Sequence, residues 1–134
     1  MPVPTIEQPV PQKNIVIKQN ADFTLALCII ERDETGVATV IDTTGWIVEM
    51  NVRKEPKQDN PVLLEASTAN ARIVVGIHGD PGEEVNIDIT VPASVTAGIA
   101  DFGDAGYDLR VTYPDGSTEY LLEGAAFLQP AYTW

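Results

Sequence analysis

The sequence has few of the residues that catalytic and metal sites are built from. Cys28 is the only cysteine, so the chain can form neither an internal disulfide nor a thiolate metal cluster. Because Cys28 falls in the middle of a predicted strand, we expect it to pack in the core. His78 is the only histidine, and no Gly-x-Ser-x-Gly motif occurs. Nucleophilic catalysis needs a base beside a serine or cysteine, so we predict that this protein is not an enzyme.

Basic side chains and long apolar runs are also scarce. Eight Lys and Arg residues face 20 Asp and Glu residues, giving a formal net charge of -12. Nucleic acid and anionic membranes would be repelled, so neither is an expected partner. The longest apolar run, Leu25 to Ile30, is far shorter than the roughly 20 residues that cross a bilayer. Met1 to Glu7 has neither a basic leader nor an apolar core, which predicts synthesis in the cytosol without a signal peptide.

The clearest structural pattern lies in residues 106–124. Its first half alternates apolar and polar residues, as in a strand with one buried face, and the apolar positions are Tyr107, Leu109, Val111 and Tyr113. Pro-Asp-Gly at 114–116 supplies the residues of a tight turn, with Gly116 free to take the left-handed conformation. Beyond the turn the alternation resumes, but Leu121 beside Leu122 leaves open which of the two points inward. The pattern predicts a β-hairpin.

The rest of the chain shows short apolar runs cut by turn residues. Further strands are predicted around Ile15–Ile17, Phe23–Ile29, Val37–Ile41, Trp46–Val52, Val62–Glu65, Ala71–Val75, Val85–Ile89 and Phe127–Leu128. One helical turn is predicted at Pro92–Ala97, a loop over Gly76–Glu84, and a flexible approach to the hairpin over Ala100–Ala105. Seven to nine short strands separated by closely spaced turns predict an all-β fold, an antiparallel β-sandwich.

The amino-terminal segment differs in composition from the remainder. Met1–Lys13 contains four prolines, Pro2, Pro4, Pro9 and Pro11. Proline removes the backbone donor that a sheet or helix needs, so residues 1–13 are predicted to form an extended arm outside the core. Residues 14–134 are predicted to form one β-sandwich domain. Such an arm is either a frayed end or a segment that orders on a neighbouring subunit.

Carboxylates cluster in two stretches, which are Asp80, Glu83 and Glu84, and Asp101, Asp104 and Asp108. Calcium binds several oxygen ligands on a flexible loop, but neither stretch has the regular spacing of a calcium-binding loop. We interpret both as solvated acidic loops and predict no metal and no cofactor. The aromatic residues could instead form a platform on which a sugar stacks. For Trp46, core packing at the start of a strand is the better supported role.

Several of these strand and turn motifs occur together in one order. They are Gln19–Phe23 at the start of a strand, Asp42-Thr43-Thr44-Gly45 before a strand that ends in Val52-Arg53-Lys54, and Gly106-Tyr107-Asp108-Leu109 followed by Asp115-Gly116 and Glu123-Gly124. This order resembles a family of small tailed-phage structural proteins that includes the amino-terminal domain of baseplate upper proteins and stand-alone tail and adaptor proteins. The resemblance covers Ile15–Leu128. The sequence departs from the family pattern at Thr43, where an apolar residue is expected, at Ala21, where a glycine is expected, and in a longer Gly98–Gly106 segment.

The resemblance implies an Ig-like β-sandwich that is made in the host cytoplasm and serves as a building block of the virion. Its expected place is the tail, the baseplate or a fibre adaptor, and its expected partners are other virion proteins and further copies of itself. No stalk follows the domain before Trp134, so a receptor-binding role is not carried over. We expect both ends of the chain to dock on neighbouring subunits, and the predicted interface residues are Pro2, Pro4, Pro9, Pro11, Tyr132 and Trp134.

Two alternative functions stay open at this point. One is a capsid decoration or stabilising protein, since such proteins are equally small and rich in β-structure. The other, from a different class, is a carbohydrate-binding module, whose candidate stacking residues are Trp46, Tyr113, Tyr132 and Trp134.

Overall fold

The computed structural model describes residues 13–54, 62–99 and 101–131. Ten strands and one short helix lie within these residues. In chain order they are β1 (Ile15–Lys18), β2 (Phe23–Leu27), β3 (Ile30–Arg32), β4 (Ala38–Val40), β5 (Ile47–Arg53), β6 (Val62–Ser67), β7 (Ile73–His78), β8 (Val85–Val91), α1 (Ala93–Thr96), β9 (Gly103–Thr112) and β10 (Thr118–Gln129).

Two facing sheets contain eight of these strands. The larger sheet has the order β1-β10-β9-β5-β6 and the smaller one the order β2-β8-β7, while β3 and β4 form a separate two-stranded sheet. β1 runs parallel to β10, and the other pairs are antiparallel. The chain passes from one of the two main sheets to the other between β1 and β2, between β2 and β5 by way of β3 and β4, between β6 and β7, and between β8 and β9. This is an Ig-like β-sandwich, which confirms the predicted all-β class. The described residues hold ten strands where seven to nine were expected.

The core lies between the inner faces of the two sheets. The fully buried apolar side chains that line it include Val48, Met50 and Val52 of β5, Leu109 and Val111 of β9, and Ile87, Ile89 and Val91 of β8. Alternate residues of β5 and of most of β9 point inward, as the period-two pattern predicts. Trp46 meets Tyr113 edge to face, with ring centroids 4.9 Å apart and an interplanar angle of 88°. Both rings are buried, so the predicted core role of Trp46 is confirmed.

The β9–β10 hairpin forms as predicted, with a longer second strand. Gly116 has φ of 90°, and its N–H donates to the Tyr113 carbonyl over 2.8 Å. The register shifts between Tyr120 and Leu122, so Leu121 is an extra residue in β10. Leu121 and Leu122 are therefore both buried, which answers which of them points inward.

β10 continues without a break to Gln129. The last strand that was predicted separately around Phe127 and Leu128 is therefore the second half of β10. Gly124 lies near the middle of β10, where an added Cβ would collide with the Lys13 carbonyl. That carbonyl accepts a hydrogen bond from the Tyr107 hydroxyl over 2.6 Å, and the Lys13 N–H donates to Glu123 O over 2.9 Å. The missing side chain at Gly124 thus lets the start of β1 lie against β10.

α1 begins after Pro92, and it lies within the predicted helical turn Pro92–Ala97. Asp22 Oδ1 accepts the Ala93 N–H over 2.7 Å, and the Thr96 hydroxyl donates to the Ala21 carbonyl over 2.8 Å. These bonds tie α1 to the β1–β2 turn. Over the part of the chain that the structure describes, no helix is long and apolar enough to span a membrane.

Three predictions about individual segments are wrong. β7 continues through Gly76 to His78, where a loop was expected, because Gly76 takes φ of 107° at a register shift between Val75 and His78. β9 already begins at Gly103, inside the segment predicted to be flexible. Cys28 is exposed, because β2 ends one residue before it.

Candidate interaction surface at the ribbon end

β3 and β4 form a small hairpin, Ile30–Val40, which we call the ribbon. Ile30 pairs with Val40, and Arg32 pairs with Ala38. None of the six strand residues is buried, and Ile30 and Val37 are 40% and 59% exposed. No other described strand pairs with either outer edge of the ribbon. An isolated two-stranded hairpin is at best marginally stable in water, so contacts at its base must hold it in place.

Asn86 supplies those contacts from the start of β8. Its side chain is fully buried. Oδ1 accepts the Ile29 N–H over 2.8 Å, and Nδ2 donates to the carbonyls of Ile29 and Ile41 over 2.8 and 2.9 Å. The Ile41 N–H also donates to the Ile29 carbonyl over 3.1 Å. One amide side chain therefore joins both strands of the ribbon to the smaller sheet, just beyond the last residue of β2.

Thr43 extends the same network. Its buried hydroxyl donates to the Asn86 carbonyl over 2.6 Å and accepts the Gly76 N–H over 2.8 Å. An apolar side chain at this position would leave both backbone groups without these partners, and an unsatisfied buried polar group is costly. Thr43, where the resemblance would lead one to expect an apolar residue, thus has a structural role in this fold. The sequence pattern assigned no role to either residue, because Asn86 alternates with the apolar residues of β8 and Thr43 stands in the turn motif Asp42-Thr43-Thr44-Gly45.

Two further loops lie at the same end of the sandwich. The β7–β8 loop, residues 79–84, precedes Asn86 by two positions. The β9–β10 turn, residues 114–117, approaches the chain between β4 and β5, where a Cβ added to Gly45 would lie 3.7 Å from Pro114 Cγ. We call residues 28–46, 79–84 and 114–117 together the ribbon end.

The ribbon end is strongly acidic. It carries eight of the 20 acidic residues and one of the eight basic residues of the chain. The acidic residues are Glu31, Asp33, Glu34, Asp42, Asp80, Glu83, Glu84 and Asp115. The basic residue is Arg32, whose guanidinium donates to the Gly36 carbonyl over 3.1 Å. Clustered charges of one sign create a potential that attracts surfaces of the opposite sign.

Local hydrogen bonds keep several of these carboxylates ionised. The pKa of Asp33 is lowered chiefly by the hydroxyl of Thr35, which donates to Oδ1 over 2.6 Å, and then by the Val37 N–H. Three other pKa values are lowered in the same way, that of Asp42 by Thr44, that of Asp115 by Ser117 and that of Glu84 by the Gly82 N–H. A hydrogen bond to a carboxylate favours its charged form, so these four side chains, which are negative at neutral pH like other exposed carboxylates, keep their charge to lower pH.

The acidic residues proposed as possible calcium ligands do not come together. Asp101 Oδ1 lies 3.3 Å from Lys54 Nζ, and Asp104 is exposed at the start of β9. Burial raises the pKa of Asp108, against the opposing effect of the Arg53 and Arg110 charges. Across residues 13–54, 62–99 and 101–131, no group of three or more His, Cys, Asp or Glu side chains is arranged to hold a metal ion.

The predicted interface and sugar-stacking residues fall into two groups. Pro2, Pro4, Pro9, Pro11, Tyr132 and Trp134 lie outside the described residues, as does most of the predicted arm 1–13. Trp46 and Tyr113 lie in the core, with 6% and 3% of their surfaces exposed. A sugar that stacks on an aromatic ring needs an open face, so these two residues do not form a stacking platform in this fold.

No protein-family model and no curated protein matches the chain. Solved structures that resemble it include fibronectin(III)-like modules of Clostridium thermocellum CbhA, with 13% identity, a TM-score of 0.40 and coverage of 92% of this chain and 94% of that one. CopC from Methylosinus trichosporium OB3b has 10% identity, a TM-score of 0.36 and coverage of 94% and 91%. Murine CRIg has 14% identity, a TM-score of 0.32 and coverage of 97% and 99%. These values are too low to carry an argument about function.

Proposed function

We propose that this protein is a non-catalytic building block of a tailed-phage particle, a tail, baseplate or fibre-adaptor component held by contacts between subunits. The proposal rests mainly on the exposure of the ribbon. The ribbon exposes two aliphatic side chains, Ile30 and Val37, on a hairpin that buries none of its strand residues.

An exposed ribbon of this kind suits a protein that works in contact with others. Unpaired strand edges are prone to pair with other chains, and natural proteins usually cover or blunt them. Apolar residues surrounded by charged ones are also the usual composition of a protein interface, with an apolar centre and a polar rim. The order of motifs between Ile15 and Leu128 resembles that of small phage tail proteins. This resemblance supports a tailed-phage particle as the place where such contacts would form.

The proposal also includes a role for the two ends of the chain. Met1–Lys13 and Ala131–Trp134 are proposed to dock on neighbouring virion subunits. Truncated proteins that lack either end should then assemble less well than the full chain, and equal assembly would contradict this part of the proposal.

Immunogold labelling of intact particles tests the proposed location. An antibody against the purified protein is expected to label the tail or its tip. Label spread over the head would instead indicate a capsid decoration protein. Mass spectrometry of the same purified particles detects a subunit whose epitopes are buried. Absence of the protein from particles by both methods would contradict the proposal.

A further inference from the structure

We propose that the ribbon end docks on a basic protein surface of a neighbouring subunit, with the apolar face of the ribbon at the centre of the contact. This inference rests on the proposed function for the setting in which the partner is met. It adds the surface used and the chemistry of the partner.

The apolar face follows from the register of the ribbon. Side chains directly opposite each other on paired strands lie on the same face. Ile30 is paired with Val40 and Arg32 with Ala38, so these four residues share one face, while Glu31 and Thr39 share the other. Three of the four residues on the first face are therefore aliphatic, beside Arg32. Val37, just before β4, adds an exposed aliphatic side chain near the tip, where its carbonyl accepts the Asp33 N–H.

The charge of the surrounding loops selects the partner. Eight acidic residues and one basic residue lie at the ribbon end. A second copy that docked through the same end would bring two sets of negative charges together, and like-charge juxtaposition is strongly disfavoured. Nucleic acid and anionic membranes are repelled for the same reason. A protein surface whose Lys and Arg side chains surround an apolar patch complements both the charge and the apolar centre.

The ribbon is also held ready for binding. The Asn86 side chain holds the base of the ribbon through hydrogen bonds of 2.8 to 2.9 Å to Ile29 and Ile41. The Thr43 hydroxyl supports it through bonds of 2.6 and 2.8 Å to the Asn86 carbonyl and the Gly76 N–H. A surface that is already ordered loses less conformational freedom on association, which favours affinity. The buried network thus holds the base of a hairpin whose own strand residues contribute little to the core.

Charge reversal at the ribbon end tests the proposal in assembled particles. The variant carries Glu34→Lys and Glu83→Lys, and its control carries Glu65→Lys and Asp104→Lys, which make the same change in net charge at exposed positions outside the ribbon end. Copies of the protein per particle are counted by quantitative mass spectrometry, and the circular dichroism spectrum and thermal midpoint verify the fold. We expect the number of copies per particle to fall by about tenfold or more for the ribbon-end variant, which corresponds to about 1.4 kcal/mol. For the control variant we expect it to stay within about twofold of the wild type. Equal values for the two variants would overturn the proposal.

Photo-crosslinking identifies what the ribbon touches. Val37→Cys in a Cys28→Ser background places a single thiol on the ribbon, and Val74→Cys in the same background places one on the outer face of the smaller sheet as a control. Each is labelled with a thiol-reactive photo-crosslinker before addition to particles that lack the protein. The expected product from Val37→Cys joins this chain to a Lys- and Arg-rich peptide of another virion protein.

Three crosslinking outcomes would overturn the proposal: a product with a second copy of this chain, a product with an acidic surface, or no product from the ribbon. The outcomes separate the two proposals. A protein found in the particle without these ribbon contacts contradicts the docking surface alone. A protein absent from the particle contradicts the proposed function.

Discussion

The chain contains two antiparallel hairpins that are held in place in different ways. β9–β10 buries alternate residues of both strands between the sheets, and Leu109 and Val111 are fully buried. The ribbon buries none of its strand residues and is bound at its base by the side chains of Asn86 and Thr43. Hydrophobic burial holds the first hairpin, whereas a few directional hydrogen bonds hold the second. Residues of the ribbon are therefore free to contact a partner without weakening the core.

Leu109→Ala should have the largest effect, because it removes a fully buried side chain from the middle of β9. We expect the free energy of unfolding to fall by about 3 kcal/mol, the usual range for a Leu to Ala change that leaves a cavity. Urea unfolding followed by tryptophan fluorescence measures the change. A loss below about 1 kcal/mol would mean that β9 does not lie in the core as described.

Asn86→Ala should have the next largest effect. It removes three hydrogen bonds to Ile29 and Ile41, and we expect a loss of about 2 kcal/mol. Amide hydrogen exchange should become faster at Ile29, while the Val111 amide keeps its protection. Asn51→Ala, on the half-buried outer side of β5, is the matched control and should change stability by less than about 0.5 kcal/mol. Similar losses in both variants would show that Asn86 has no special role.

Tyr107→Phe should cost about 1 kcal/mol at neutral pH, because the hydroxyl no longer donates to the Lys13 carbonyl. Burial raises the pKa of Tyr107 to about 12. In the unfolded chain a tyrosine loses its proton near pH 10, so the folded state binds this proton more tightly between about pH 10 and 12. Stability from this group is complete below about pH 10 and is lost as the pH rises through about 12.

The same variant should therefore lose less stability than the wild type when the pH rises. Urea unfolding at about pH 8 and about pH 11 measures this difference. Tyr113, whose pKa is also raised by burial and by the adjacent Glu119, keeps contributing in both proteins. Identical pH dependence of the two proteins would contradict the assigned environment of Tyr107.

The double variant Ile30→Ser and Val37→Ser should have the smallest effect on stability. Both side chains are exposed, so the free energy of unfolding is expected to change by less than about 0.5 kcal/mol. Incorporation into particles should nevertheless fall, since the apolar centre of the proposed contact is lost. A large loss of stability in this variant would mean that the ribbon side chains contribute to the core. The two hairpins would then be held in place in the same way.

The sequence patterns predicted the parts of the fold that depend on local order. Period-two alternation located β5, β8 and β9, and Pro-Asp-Gly located the hairpin turn with Gly116 at positive φ. The bulge at Leu121 was visible only as two adjacent leucines. Cys28 and Gly76 were misplaced because where a strand ends or bends depends on its pairing with another strand, and sequence alternation does not report that pairing.

The anchor of the ribbon lay beyond local reasoning. Asn86 bonds residues 57 and 45 positions away, and Thr43 bonds the Asn86 backbone across 43 positions. One signal was present, since asparagine is depleted in strands and here stands between two apolar residues of β8. The acidic residues of the ribbon end are visible in the sequence, but only the topology brings the three segments together.

Replacement of the ribbon tests the central claim most directly. In this variant an Asn-Gly turn replaces residues 31–39, and Ile30, Val40 and the Asn86 network are kept. We expect a folded protein whose free energy of unfolding changes by less than about 1 kcal/mol, together with a drop of about tenfold or more in copies per particle. Normal incorporation of the shortened protein, or its failure to fold, would contradict the claim that the ribbon serves contacts between subunits rather than the stability of the sandwich.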